Sequence, residues 1–382
     1  MALDPDIFAQ LIDTVERFVK ERLVPIEAEV AENDLIPAAV IEEMKDLGLF
    51  GISIPEKFGG LGLTNEEEVR LIMAFSRTSP AFRVCFGGNV GIGSQGIVLD
   101  GTDGQRDKYL PKLASGEFIA SFALTEPEAG SDAASISTVA RREGDFYVIN
   151  GRKRFITNAR NADIITVMAR TGAADEKSGA ISAFIVENAA PGLSFGKPEK
   201  KMGMQGTHIC DVIFDDCRVP VENLIGGQEG IGFKTAMKVL DRGRMSVAAG
   251  SIGVAERLIE ECVAYTKERE QFGKPIASFQ LIQAMLADSQ AESYAARTMV
   301  LDAASKKDQG ESIISEAACC KMFASEMVGR VADRAVQIFG GAGYVADYPI
   351  ERFYRDVRVY RIYEGTTQIQ QLIIARELLK DS

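Results

Sequence analysis

Phe146-Tyr147-Val148-Ile149-Asn150-Gly151, near the middle of the chain, decides how the rest is read. The first four residues are β-branched or aromatic and suit a pleated surface. Asn-Gly is the pair that two-residue hairpins favour, because both positions tolerate positive φ. Ile164-Ile165-Thr166-Val167-Met168 and Ile181-Ser182-Ala183-Phe184-Ile185-Val186 have the same character. Residues 119–227 are therefore expected to form a small β domain, a barrel or sandwich, with a hairpin at Asn150-Gly151. On either side the apolar period becomes helical. Toward the N-terminus, Asp4 and Pro5 make a cap and first-turn pair, and Ile7, Phe8, Leu11, Ile12, Val15, Phe18, Val19 and Leu23 share one face. A second helix is expected from Ala38-Ala39-Val40 to Leu49, ended by the glycine-rich loop at 55–63. Toward the C-terminus, Phe233, Ala236, Met237 and Leu240 open a series of long amphipathic helices that suggests a bundle. The fold class is α+β, with a helical domain at 1–118, the β domain at 119–227 and a helical bundle at 228–382.

Composition narrows the function. The 382 residues are 46% hydrophobic and 26% charged, an ordinary globular balance that allows two to three domains. A net charge of −12 argues against a general nucleic-acid or anionic-membrane surface, so an anionic substrate needs a local basic site. No apolar run approaches a membrane span, and Met-Ala-Leu-Asp-Pro-Asp-Ile-Phe is not a signal peptide. The six cysteines lack CxxC spacing and read as reduced thiols in a cytoplasm. With a single histidine, His208, and no GxSxG elbow, a Ser-His-Asp hydrolase is excluded, as is a histidine metal cluster. No metal is expected, and His208 reads as a surface or loop residue. The glycine clusters at 87–93 and 226–234 follow no strand with nucleotide-loop spacing, and Phe233 interrupts the P-loop pattern. Both read as loop and packing glycines.

Six segments, in order over most of the chain, resemble the acyl-CoA dehydrogenase family: LPKLASGE (110–117), ALTEPEAGSD (123–132), RFITNA (154–159), EREQFGKPIASFQ (268–280), QIFGGAGY (337–344) and IYEGTTQIQ (362–370). Each alone is weak; the ordered set is specific. The resemblance implies an α-helical N-terminal domain, a β middle domain, a C-terminal four-helix bundle, FAD bound between them and a homotetramer. The implied reaction removes the α-proton of a CoA thioester with a carboxylate base while the β-hydrogen leaves as hydride to FAD.

By this resemblance Glu364 is the base, and its backbone N–H, with a ribityl hydroxyl of FAD, stabilises the thioester oxygen. Gly365 adjoins the substrate. Other members place the base on a bundle helix; here Leu240-Asp241-Arg242-Gly243-Arg244 has Gly243 at that position, so the alternative is empty. Asp241 and Arg244 match positions that contact the CoA portion, against a reading as helix-surface charges. Phe122, Leu124, Thr125 and Ser131 are carried to the flavin ring, Ser131 also to the pantetheine. Phe155 and Thr157 flank the flavin, with Phe155 replacing the family's Trp. Arg269, Phe272 and Gln280, with Gln337, Gly340 and Gly341, resemble residues that hold the FAD of a neighbouring subunit. Thr366 and Gln368 return to the chain's own FAD.

Arg83 falls, ungapped from QRDKYL (105–110), where glutaryl-CoA dehydrogenases carry an Arg that meets a distal carboxylate. Ser76 replaces a Glu of that pattern. A surface Arg in a salt bridge is the alternative. The reading is FAD-dependent α,β-dehydrogenation of a short acyl-CoA, with an acidic acyl end as an option and an electron-transferring flavoprotein as oxidant. Rivals are a desulfinase-type lyase, which lacks the catalytic Glu, an oxidase using oxygen, distinguished by reoxidation kinetics, and a non-catalytic CoA-ester or flavin scaffold, against which the intact IYEGT stands.

Overall fold

The computed structural model describes residues 2–172 and 179–380. The N-terminal part is helical: α1 (Pro5–Phe18), α2 (Glu27–Asn33), α3 (Ala38–Asp46), α4 (Asn65–Phe75), α5 (Pro80–Val90), α6 (Gln95–Asp100) and α7 (Asp103–Ser115). The Asp4 side chain caps α1 by accepting from the N–H groups of Asp6 and Ile7. Thr64 with Glu67 and Thr102 with Gln105 form capping boxes that start α4 and α7. The second helix stops at Asp46, short of the expected Leu49. Gly48 takes φ 71 and Leu49–Gly51 follows as a 3-10 turn.

The middle part contains β1 (Ala120–Ala123), β2 (Val139–Glu143), β3 (Phe146–Thr157), β4 (Ile164–Arg170), β5 (Ile181–Glu187), β6 (Leu193–Phe195) and β7 (Ile209–Pro220). They form one sheet in the order β1-β4-β2-β3-β7-β6, with β5 also paired to β4. The expected hairpin at Asn150-Gly151 does not exist: β3 runs through both residues. The turn is six residues earlier, at Gly144 (φ 61), where Glu143 pairs with Phe146. At Gly151 the pairing with β7 slips, and Asp216 adopts φ 49 as the extra residue of a bulge. Asn150 exchanges two side-chain hydrogen bonds of 2.9 Å with Asp216, so its amide serves the bulge. A Cβ on Gly151 would lie 2.4 Å from Thr138 Oγ1, which is what requires glycine there.

The C-terminal part has α8 (Gly232–Glu268), a small hairpin of β8 (Glu270–Gln271) and β9 (Lys274–Pro275), α9 (Gln280–Asp308), α10 (Ile314–Phe339), α11 (Ile350–Asp356) and α12 (Thr367–Leu378). α8, α9, α10 and α12 pack as a four-helix bundle. Small buried residues such as Ala248, Ala249, Ala317 and Ala324 let α8 and α10 approach closely. One hydrophobic core spans the N-terminal helices and this bundle. Buried Glu27 also ties them together, accepting from Thr78 Oγ1 (2.6 Å), Ser79 N (2.8 Å) and Arg352 Nη2 (3.0 Å). Among the described residues no helix is long and apolar enough to cross a membrane, and no metal-ligating cluster occurs. His208 is half-buried, its Nε2 3.5 Å from Asp34.

Candidate active site

Glu364 lies where the 3-10 turn Val357–Arg361 passes into α12. Glu364 and Gly365 both take left-handed backbone, φ 53 and φ 84, and Thr366 then caps α12 by accepting from Ile369 N. A left-handed glutamate is strained, and such residues persist where the surroundings over-determine them. Gln370 Nε2 donates at 3.0 Å to the carbonyls of both Glu364 and Gly365, and Lys321 Nζ donates at 2.5 Å to Gly365 O. The carboxyl itself is left free: Oε2 is buried with no hydrogen-bond partner. The Glu364 N–H meets no protein acceptor among the described residues. Burial pushes the Glu364 carboxyl up to about 7, while Arg244, Arg83 and Lys321 pull against that rise. Across from it stands Gly243, where an added Cβ would be 2.6 Å from Glu364 Oε2.

Arg83 is part-buried on the first turns of α5. Its Nη1 donates to Ser246 Oγ at 2.9 Å, its Nε has no partner, and it forms no ion pair among the described residues. The surface salt bridge that was its alternative reading is therefore absent. Ser76 Oγ and Tyr360 Oη gather with Arg83 Nε within 3.8 Å of where a Gly250 Cβ would stand. Both oxygens, and the Tyr363 hydroxyl, are buried without partners. Tyr360 and Tyr363 stack at 5.7 Å between ring centroids. Further along α8, buried Arg244 pairs with Asp241, so neither is a free surface charge. A cavity of about 300 Å³, with Val69, Met245 and Ile313 on its walls, reaches Asp241, Arg242 and Ser246.

The strand ends of the β sheet form the other wall. Arg154 N donates to Thr125 O (2.8 Å) and Ser121 Oγ to Thr157 O (2.7 Å), which places Phe122, Leu124, Thr125, Phe155 and Thr157 side by side. Phe155 has φ 58 and is 51% exposed, with the Arg154 guanidinium 4.7 Å above its ring. Ser131 lies exposed on the following loop. Beneath this edge, Lys153 Nζ donates to Leu124 O (3.0 Å) and Glu126 Oε1 (2.8 Å), both side chains closed to water. Leu124 and Phe122 share an apolar cluster with Phe233, Met237 and Leu240 of α8. Leu240 is one turn from Gly243, so the sheet edge and Glu364 flank the same stretch of α8.

The remaining predicted residues are elsewhere. Arg269, Phe272, Gln280, Gln337, Gly340 and Gly341 are all exposed around the β8–β9 hairpin and the end of α10. The two regions are joined by the Tyr265–Phe339 stack at 4.0 Å. Gln337 is sixteen residues beyond Lys321 on α10, about 24 Å of helix. Thr366 and Gln368 stay beside Glu364, with Gln368 exposed.

Periodicity missed Lys321, Lys153, Ser246 and Gln370. Lys321 had a readable signal: it sits on the apolar stripe with Ala317, Ala324 and Val328, where a cation is out of place.

The comparisons with known proteins agree with this fold. Models of the acyl-CoA dehydrogenase N-terminal, middle and C-terminal domains match residues 8–117, 121–217 and 230–379. A 3-(aryl)acrylate reductase of Clostridium sporogenes is 43% identical over 95% of this chain and 96% of its own. The caffeyl-CoA reductase–Etf complex subunit CarC of Acetobacterium woodii is 43% identical over 94% and 95%. Butyryl-CoA dehydrogenase from Megasphaera elsdenii superposes with a TM-score of 0.95 at 37% identity, covering 100% of both chains. An acyl-CoA dehydrogenase from Bacillus anthracis complexed with FAD gives 0.91 at 36%, covering 99% of this chain and 68% of the other. The chain belongs to the acyl-CoA dehydrogenase family. It is a flavoprotein oxidoreductase acting on a CH–CH bond, with FAD as its cofactor. The residues present fit that group: the sheet edge is open beside Phe155, and Glu364 has an unpartnered carboxyl oxygen and N–H.

Proposed function

We propose that the protein interconverts an acyl-CoA and its trans-2-enoyl-CoA, with Glu364 handling the α-proton. The observation that carries this reading is the Glu364 carboxyl: half-buried with Oε2 closed to water and unpartnered, raised to about 7, and opposite a residue with no side chain. A base is most effective with a pKa near the working pH. FAD, when bound, supplies the acceptor for the β-hydrogen and its electron pair. Phe122, Leu124, Thr125, Ser131, Phe155, Thr157, Thr366 and Gln368 would hold it from this chain. As a carboxylate, Glu364 takes the α-proton; the Glu364 N–H donates to the thioester oxygen where negative charge develops. Asp241 and Arg244 position the CoA portion.

The acyl group in this reading is short and ends in an acid. Arg83 supports it: a part-buried guanidinium in no ion pair among the described residues is costly unless an anion meets it, and the Ser76, Tyr360 and Tyr363 hydroxyls are free donors alongside. An electron-transferring flavoprotein is the redox partner, docking near Phe155, in a cytoplasmic homotetramer in which Arg269, Phe272, Gln280, Gln337, Gly340 and Gly341 serve a neighbour's FAD. A second reading, enoyl-CoA reduction, is favoured by the reductases among the relatives; the protonated Glu364 then returns the proton.

Anaerobic flavin bleaching by a panel of saturated CoA esters, against reoxidation of the reduced enzyme by the enoyl esters, separates the two directions. Oxidation should rise as the pH climbs through about 7, because the base acts deprotonated. Glu364→Gln should stay folded and yellow, with turnover lower by roughly 10² or more. Near-normal turnover in that variant overturns the reading.

A further inference from the structure

We propose that Lys321 is the positioning residue of this site: its ammonium holds the Glu364–Gly365 turn in its left-handed form and sets the charge around the carboxylate. The inference rests on Glu364 being the base. Lys321 stands two turns into α10, its side chain fully buried among Ala317, Ala324 and Val328. Nζ is 2.5 Å from Gly365 O. No carboxylate forms an ion pair with it among the described residues. Glu326, the nearby acid on the same helix, is committed to Arg361 (3.2 Å) and Thr367 Oγ1 (2.7 Å).

An ammonium buried this way is expensive, and an apolar side chain of similar length would pack on this stripe without the desolvation cost. What the charge gains is its position. Gln370 already donates to the Gly365 carbonyl at 3.0 Å, so Lys321 adds a charge-assisted bond to an acceptor that is not orphaned. It also places a cation beside a carboxyl that has no direct partner of its own. The charged and titratable groups facing Glu364 are Arg244 from α8, Arg83 from α5, Lys321 from α10 and Tyr363 of its own segment. Those facing Lys321 are Glu364, Arg244 and Glu326. Burial brings Lys321 down to about 8, partly offset by Glu364. Lys321 is therefore largely the cation on the acid side of the Glu364 titration, below about pH 7.

Two variants separate the clamp from the charge. Lys321→Gln keeps an N–H donor and removes the charge; Lys321→Met removes both. The readout is the pH profile of kcat/KM for acyl-CoA oxidation, with flavin content measured on each sample. Both should move the acid limb upward by about one pH unit, roughly a tenfold loss at pH 6 that is recovered on the alkaline side. Lys321→Met should also lower the plateau. A Lys321→Gln limb that superimposes on wild type overturns the proposal, whatever happens to the plateau. Glu364→Gln run in parallel keeps the failures apart: activity in that variant removes the base, whereas an inactive Glu364→Gln beside an unshifted Lys321→Gln limb removes only the role of Lys321.

Discussion

Replacing Lys153 by methionine removes the cation from a pair that water does not reach. Its side chain is 0% and that of Glu126 2% exposed. In the variant, Glu126 still accepts from Ser137 N (2.6 Å), Ser137 Oγ (2.7 Å) and Thr138 N (3.0 Å). Leu124 O loses its donor, and a buried carboxylate loses its counter-charge. Removing one partner of a buried pair costs about 3–5 kcal/mol. The three surviving hydrogen bonds put this case near the low end, about 3 kcal/mol, or roughly a hundredfold in the unfolding equilibrium. Adding Glu126→Gln removes the stranded charge and should recover about 1 kcal/mol or more. The pH dependence has a definite sign. Burial pushes Glu126 up, but the charge of Lys153 and the hydrogen bonds from Lys153, Thr138 and Ser137 bring it down from 4.5 to about 2. Its stabilisation is thus complete above 4.5 and lost as the pH falls toward 2, so the gap between wild type and Lys153→Met should narrow across that window. Urea unfolding followed by far-UV circular dichroism suits a chain without tryptophan. Equal midpoints at pH 7, or a double variant weaker than Lys153→Met alone, would refute the reasoning.

Arg83→Met should shift preference from acidic acyl-CoA esters toward butyryl or hexanoyl esters, with a loss of about 2–5 kcal/mol for the acidic substrate. A substrate panel that prefers neutral chains in wild type and does not change in the variant would reduce Arg83 to a structural residue. Arg269→Ala should lose FAD on dilution and then dissociate more readily, because cofactor binding and assembly are linked. A fully flavinated monomer by light scattering would contradict that arrangement.

The architecture was legible because both periods are strong. The stripe from Ile7 to Leu23 and the run from Phe233 to Leu240 set helices, and Ile164–Met168 set a strand. Asn150-Gly151 misled because the same pair satisfies a turn and a bulge: one uses positive φ at adjacent residues, the other a missing Cβ and a side-chain amide. Which applies depends on Thr138 and Asp216, distant in sequence. The second helix overran because nothing in Glu43–Asp46 shows that Gly48 must turn left-handed. Glu364, Arg83 and Arg244 were found through the resemblance, whereas Lys321, the third cation facing the carboxyl, was not. Lys321 could be picked out only as a cation on an apolar stripe, and Lys153 not at all, because the carbonyl or carboxylate that keeps each inside is supplied by another part of the chain.

Gly243 has a consequence for how this chain can change over time. A single added carbon there would intrude to 2.6 Å from Oε2 and 2.9 Å from Cδ of Glu364. The atoms met are the flexible end of the Glu364 side chain, so a side chain gained at this position would displace the existing base rather than stand beside it. A lineage that moved its base onto α8 would carry two carboxylates competing for one volume until Glu364 was shortened, and each placement disfavours the other through the space it takes.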